Sequence, residues 1–144
     1  MKPKKTGFLA MLLSLLGLAP ACNIIAPCMY GSPNADWSVK GKVIDENGKP
    51  VGGLQVVIDY NDQEGWPVDT LKTRSDGGYS LEDNGFPFHQ LKVEVEDIDG
   101  EAGGGQFQKA TLIVRDIQYK HGDGAWYSGH ADIAVPDIVV YKKN

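Results

Sequence analysis

The chain lacks the sequence motifs that mark common catalytic centres. It contains no Gly-x-Ser-x-Gly, P-loop, dinucleotide-binding glycine fingerprint, His-Glu-x-x-His or Cys-x-x-Cys. Carboxylate pairs such as Asp59 and Asp62 have the right chemistry for acid–base work, but nothing in their spacing places them in a pocket. We therefore expect a protein that is not an enzyme.

Positive charge is also scarce. The 144 residues include 14 Lys and Arg against 19 Asp and Glu, for a net charge of −5. Residues 1–21 contain three of those lysines and no acid, so the chain that follows them carries a net charge of −8. A surface of this sign repels phosphate groups, and we expect no nucleic-acid partner.

The one long apolar run is too short to span a membrane. Lys2, Lys4 and Lys5 precede the almost wholly apolar stretch Phe8–Leu18, whereas a spanning helix needs about 20 such residues. A charged start followed by a short apolar segment is typical of a secretory signal. The sequence predicts a cleaved signal peptide over residues 1–21.

Cysteine occurs only twice, at Cys22 and Cys28. The segment Leu18-Ala19-Pro20-Ala21-Cys22 resembles the bacterial lipobox, although that pattern places Leu where Ala19 stands. The resemblance implies lipidation of Cys22 by acyl chains such as palmitate, and more than one chain makes anchoring stable. The alternatives are ordinary cleavage near Ala21, or a soluble secreted domain with a local Cys22–Cys28 disulfide.

The residues after Cys22 bear on location and domain organisation. In some bacteria, lipoproteins that are exposed on the cell surface often carry acids just after the lipidated cysteine, whereas Asn23–Ala26 has none. By this analogy we expect a lipid-anchored envelope protein, on the outer membrane and facing the periplasm. Prolines and a glycine without any sustained period then indicate a tether over residues 22–36. One globular domain follows, over residues 37–144.

Period-2 alternation of apolar and polar residues dominates that domain. It is evident at Trp37–Val43 and Leu54–Tyr60, with an Asn47-Gly48 turn between them, and it is clearest at Leu91–Glu96. Further candidate strands are Val68–Arg74, Tyr79–Leu81, Thr111–Val114 and Ala131–Tyr141, the last with a bulge or break at Pro136. No window has a helical period. The pattern predicts an all-β sandwich.

Two separated segments resemble the carboxypeptidase regulatory-like family. They are Val39-x-Gly41-x-Val43-x-Asp45-x-x-Gly48-x-Pro50-Val51-x-Gly53-Leu54-x-Val56 and Thr73-x-Ser75-Asp76-x-Gly78-Tyr79-x-Leu81. The resemblance covers about residues 37–97 and implies a seven-stranded, transthyretin-like or Ig-like β-sandwich. The family is not itself a peptidase.

A narrower resemblance covers nearly the whole chain after the signal. Its motifs are Met29-Tyr30-Gly31-Ser32-Pro33, Val93-x-Val95-x-Asp97-Ile98-Asp99-Gly100-Glu101 with Gly103–Gly105, and Gly122-Asp123-Gly124-Ala125-Trp126-Tyr127. These resemble small lipoproteins that Bacteroides-type bacteria encode beside a radical SAM enzyme. The resemblance implies an envelope lipoprotein that acts through a partner, either that enzyme or another envelope protein. In an alternative, the chain is the substrate of the enzyme.

Asp97, Asp99 and Glu101 form a candidate calcium site. Their spacing in a turn would present several hard oxygens to the ion, which takes six to eight such ligands. Calcium would then stabilise the domain. The alternative is a solvated acidic turn whose Asp side chains cap backbone groups.

A second cluster has ligands of the kind that transition metals prefer. It consists of His121, Asp123, His130 and Asp132. The alternative is a set of exposed loop residues.

Trp66, Trp126 and Tyr127 are candidates for a binding loop. Loop aromatics on a sandwich stack on sugars or hold an extended peptide, or they cover the open ends of the core. A glycan- or peptide-binding module is therefore an alternative function.

Overall fold

Short alternating segments form strands throughout the part of the chain that the computed structural model describes, residues 31–60, 68–102 and 105–144. These ranges contain no helix. They contain nine strands: β1 (Asn34–Asp45), β2 (Gln55–Asp59), β3 (Val68–Lys72), β4 (Gly78–Gly85), β5 (Leu91–Glu96), β6 (Ala110–Val114), β7 (Lys120–His121), β8 (Tyr127–Ala134) and β9 (Ile138–Val140).

The first sheet is built around β1, the longest strand. Its order is β4-β1-β8-β7, and β9 also pairs with β1. The β1–β4 pair is antiparallel, whereas β8 and β9 both run parallel to β1. β8 lies beside the first half of β1 and β9 beside its end at Val43–Asp45, so the two share one edge of the central strand.

The second sheet has the order β3-β2-β5-β6, and its pairs are all antiparallel. β2 and β5 are its central strands, and their alternating residues divide between the core and the solvent side. Val56, Ile58, Val93 and Val95 are at most 1% exposed. The two-faced strands predicted at Leu54–Tyr60 and Leu91–Glu96 are confirmed.

The apolar faces of the two sheets share one hydrophobic core. From the first sheet, Val39, Val43 and Tyr79 are at most 1% exposed, and the buried valines of β2 and β5 belong to the same cluster. Burial of this apolar surface is the main favourable term in folding. The predicted all-β sandwich is confirmed.

Several details differ from the sequence-based expectation. The described residues form nine strands, whereas the family resemblance implies seven, and β7 is only two residues long and shows no period of its own. β1 begins at Asn34 rather than at the predicted domain start of Trp37, and Ala35 is fully buried. Ser38, predicted on a solvent face, is 5% exposed. The break predicted at Pro136 separates β8 from β9.

Candidate functional site

Three segments meet where β1 begins. Gly85, the last residue of β4, pairs with Ala35, while Tyr127 at the start of β8 pairs with Asn34. The Asn34 N–H also donates a hydrogen bond to the Trp126 carbonyl (2.8 Å). We call this end of the sandwich the tether end, because the segment preceding Asn34 is the predicted tether.

The predicted aromatic loop lies at the tether end, and its two described aromatics differ in their contacts. The Trp126 indole is 44% exposed. The Tyr127 hydroxyl donates to Asp36 Oδ2 (2.7 Å), a bond that raises the pKa of Tyr127. Asp123 stabilises the loop, because its Oδ1 accepts hydrogen bonds from the backbone N–H groups of Ala125 (2.8 Å) and Tyr127 (3.0 Å). Trp66 lies outside the described residues.

A cluster of aromatic rings closes the core behind this surface. The ring centroid of Trp37 lies 5.3 Å from Tyr60 and 4.9 Å from Phe88, and Tyr119 packs edge-on to Phe88 at 6.3 Å. The Tyr119 hydroxyl donates to the Phe88 carbonyl and accepts its N–H, both at 3.0 Å. These bonds fix the loop between β4 and β5. Each ring of the cluster therefore packs against at least one other ring.

Part of the predicted histidine cluster assembles on neighbouring strands. Asp132 Oδ1 accepts the Ser38 hydroxyl (2.8 Å) and lies 3.0 Å from His130 Nε2. The Ser38 bond, followed by the His130 bond, lowers the pKa of Asp132. Ser38 and His130 both bond the carboxylate rather than each other. The arrangement therefore lacks the nucleophile–base contact of a serine hydrolase.

Among the described residues, neither the predicted acidic cluster nor the predicted histidine cluster forms a set of metal ligands. Within residues 31–60, 68–102 and 105–144, no group of three or more His, Cys, Asp and Glu side chains is close enough to hold a metal ion. His121 lies on β7 in the left-handed region (φ 63°). The Asp123 carboxylate accepts the backbone N–H groups of Ala125 and Tyr127 in the loop described above.

The acidic turn lies at the other end of the sandwich, after β5. Asp97 accepts the backbone N–H groups of Asp99 through Oδ1 (3.2 Å) and of Phe107 through Oδ2 (3.0 Å). Its side chain thus ties the turn to the segment before β6. The hydrogen bond between the Asp97 and Asp99 side chains raises the pKa of Asp99. Glu101 is exposed.

A cleft of about 390 Å³ runs along β8 on the side that β7 only partly covers. β7 pairs with Gly129 and His130 alone, and the cleft continues past them along the strand. Its lining includes both histidines of the predicted cluster, His121 and His130, together with Arg115 and Asp132. No pattern in the sequence marks this cleft, because it depends on which segment flanks β8.

Comparison with known proteins identifies the fold and no family. No family model matches the chain, and no curated protein matches its sequence. Several solved structures are similar in fold. Chlorocatechol 1,2-dioxygenase from Pseudomonas putida has a TM-score of 0.52 at 11% identity, over 79% of this chain and 68% of the dioxygenase.

Two further dioxygenases align comparably. The 3-chlorocatechol 1,2-dioxygenase of Rhodococcus opacus 1CP has a TM-score of 0.51 at 10% identity, over 80% of this chain and 62% of the enzyme. Mercury-inhibited catechol 1,2-dioxygenase from Acinetobacter has a TM-score of 0.50 at 14% identity, over 95% of this chain and 68% of the enzyme. At these identities the likeness shows a shared β-sandwich alone. This chain spans under two thirds of the Rhodococcus enzyme.

Proposed function

We propose that this protein is a non-enzymatic lipoprotein of the cell envelope, anchored through Cys22 and acting through a partner. The observation that carries the proposal is the sequence before the domain: three lysines, a short apolar run, and Cys22 directly after Ala21. Multiple acyl chains there would hold the protein stably on a membrane. The absence of acids in Asn23–Ala26 supports the periplasmic face of the outer membrane.

The fold is compatible with such an anchor. β1 begins 12 residues after Cys22, which allows a tether of at most roughly 40 Å. The described residues contain no helix long and apolar enough to cross a membrane. The mode of attachment that we propose is the lipid on Cys22.

The contacts of Ser38 do not favour a role for it as a nucleophile with His130 as base. Ser38 is 5% exposed, and its hydroxyl donates to Asp132 rather than to His130. The resemblance to lipoproteins encoded beside a radical SAM enzyme suggests that enzyme, or another envelope protein, as the partner. If the chain is instead the substrate, its intact mass will change when the enzyme is co-expressed.

Cell fractionation tests the anchor. We expect the wild-type protein in the detergent phase of a membrane extract and the Cys22→Ala variant in the soluble fraction. Cys28→Ala is the matched control, since it removes the other cysteine and leaves the lipidation site. A Cys22→Ala variant that stays with the membrane would disprove the anchor.

A glycan- or peptide-binding function is the second candidate, and the exposed indole of Trp126 favours it. Stacking on a sugar or peptide would quench or shift the fluorescence of that indole. Titration of wild-type protein and Trp126→Phe with envelope glycan fragments tests this function. A response that is the same in both proteins argues against binding at Trp126.

A further inference from the structure

A second, smaller pocket lies at the tether end, between the last residues of β4 and the ends of β2 and β3. Its volume is about 180 Å³, and its lining is mostly apolar. Trp37 forms its buried wall and Phe86, which is 52% exposed, lies at the surface. At ~30 Å³ per water molecule, the space holds on the order of six waters, which suits a single side chain.

The pocket is negative as well as aromatic. Asp69 and Asp83 line it together with Tyr60, whose hydroxyl donates to Asp69 Oδ2 (2.6 Å). Burial and the Asp69 hydrogen bond raise the pKa of Tyr60, and the charges of Asp69 and Asp83 raise it further. None of the described residues that line the pocket is Lys or Arg.

The carboxylates continue along the neighbouring surface. An adjoining cleft shares Trp37 and Asp83 with the pocket and adds Asp36 and Glu82 to its lining. The net charge of −8 beyond residue 21 has the same sign. This corner of the domain therefore attracts cations both locally and over several ångströms.

We propose that the pocket binds a lysine or arginine side chain presented by an extended segment of a partner protein. The apolar stem of such a side chain packs against Trp37 and Phe86 while its charged end meets carboxylates. A cation over an aromatic face is attracted by the ring, and more strongly as the site is desolvated. The aromatic lining of Trp37, Tyr60 and Phe86 supplies the rings, and Asp69 and Asp83 supply the opposite charge.

The position of β4 favours an extended segment over a free amine. β4 pairs with β1 alone, so within the described residues its outer edge has no strand partner. An unpaired edge accepts another strand through main-chain hydrogen bonds. A basic segment laid along Glu82–Asn84 would bring one of its side chains to the pocket. This inference rests on the proposed action through a partner, and it specifies that the partner presents a basic, extended segment.

Titration of the purified mature protein in detergent tests the pocket. The probe is the capped peptide Gly-Lys-Gly, and its matched control has norleucine in place of lysine. The readout is the indole N–H resonance of Trp37, which is assigned by elimination because the chain has three tryptophans and Trp66→Phe and Trp126→Phe each remove one signal. We expect a saturable shift with the lysine peptide at millimolar concentration, and binding at least about tenfold weaker with norleucine.

Substitutions localise the effect. Asp83→Asn and Phe86→Ala alter exposed side chains, so both variants should fold, and each should weaken lysine binding at least about threefold. Glu46→Gln removes an exposed carboxylate from the turn at the far end of β1 and should leave binding unchanged. Equal affinity for the norleucine peptide, no Trp37 response, or equal weakening by Glu46→Gln would each overturn the proposal.

The pocket proposal and the anchor proposal can be disproved independently of each other. The peptide titration uses purified protein, so its outcome does not depend on where the protein resides in the cell. Fractionation of Cys22→Ala, in turn, does not depend on the pocket. A negative titration with a soluble Cys22→Ala variant would leave the lipoprotein proposal in place and remove only the basic partner.

Discussion

Gly41 on β1 lies directly opposite Tyr79 on β4, and the tyrosine ring fills the space that a side chain at position 41 would occupy. A Cβ at Gly41 would collide with the hydroxyl and ring carbons of Tyr79. Tyr79 is 1% exposed and belongs to the hydrophobic core. The two separated segments that resemble the carboxypeptidase regulatory-like family thus pair along β1 and β4, and Gly41–Tyr79 is one of their cross-strand pairs.

The Gly41–Tyr79 contact predicts a cost for any larger residue at position 41. Gly41→Ala forces the tyrosine ring to move within a packed core, and we expect the free energy of unfolding to fall by about 1–3 kcal/mol. Urea denaturation measures it. The neighbouring exposed residue supplies the control, because Lys42→Ala should change stability by less than about 0.5 kcal/mol. A Gly41→Ala variant as stable as Lys42→Ala would contradict the packing described.

The Tyr79 hydroxyl is buried and has no hydrogen-bond partner among the described residues. Leaving such a group unsatisfied costs about 1–3 kcal/mol, so Tyr79→Phe should keep or increase stability. Tyr60→Phe is the contrasting variant, since it removes the donor to Asp69 and should lower stability by about 1 kcal/mol or more. A clear loss of stability in Tyr79→Phe would show that its hydroxyl has a partner.

Alkaline pH should destabilise the domain through its buried tyrosines. Burial, and then the charge of Asp137, raises the pKa of Tyr79 from 10.0 to about 12. The folded state therefore keeps this proton at a pH where the unfolded state has lost it, and the free energy of unfolding falls as pH rises from 10 towards 12, by up to about 3 kcal/mol. Denaturation midpoints at pH 9, 10.5 and 11.5 measure this. The fall should be smaller in Tyr79→Phe, and an identical fall would contradict the assignment.

Acidic pH should also destabilise the domain, through Asp132, so that the free energy of unfolding falls as pH decreases. Its pKa is lowered by the Ser38 and His130 hydrogen bonds, so its contribution is present above its ordinary pKa of 3.8 and is lost as pH falls through the lower folded value. We expect Asp132→Asn to flatten the loss of stability between pH 5 and pH 3, measured by urea denaturation. Glu46→Gln is the control. Equal pH profiles for wild type and Asp132→Asn would exclude a contribution from these bonds.

The acidic turn should behave as a loop fastened by Asp97. Asp97→Ala removes the acceptor for the Asp99 and Phe107 N–H groups and should lower the melting temperature by several degrees. Because Asp97 already serves these backbone groups, we expect millimolar calcium to raise the melting temperature no more than magnesium does. A rise specific to calcium that disappears in Asp99→Asn would instead establish the calcium-stabilised domain.

The sequence predicts elements whose pattern is local. β2 and β5 alternate cleanly because one face of each packs in the core, and the Pro136 break separates β8 from β9 because proline donates no ladder bond. The parallel pairing of β1 with β8 and β9 has no such signal. It depends on partners that lie about ninety residues away in the chain.

The candidate sites also divide into those that a local sequence pattern marks and those that no local pattern marks. The sequence predicts Trp126 in a binding loop, and the exposed indole is what binding there requires. Asp69 and Asp83 had no motif to mark them, because they reach one pocket from two strands of different sheets. Neither the spacing of the acids nor their number shows such a meeting.

Intact mass spectrometry of the protein extracted from membranes tests the lipoprotein proposal most directly. We predict a chain that begins at Cys22 and is heavier than its sequence by the mass of its acyl chains. The Cys22→Ala variant should lack that added mass. An unmodified mass for a chain that begins at or near Cys22, or a mass that shows a Cys22–Cys28 disulfide, would contradict the anchor and return the protein to the class of soluble secreted domains.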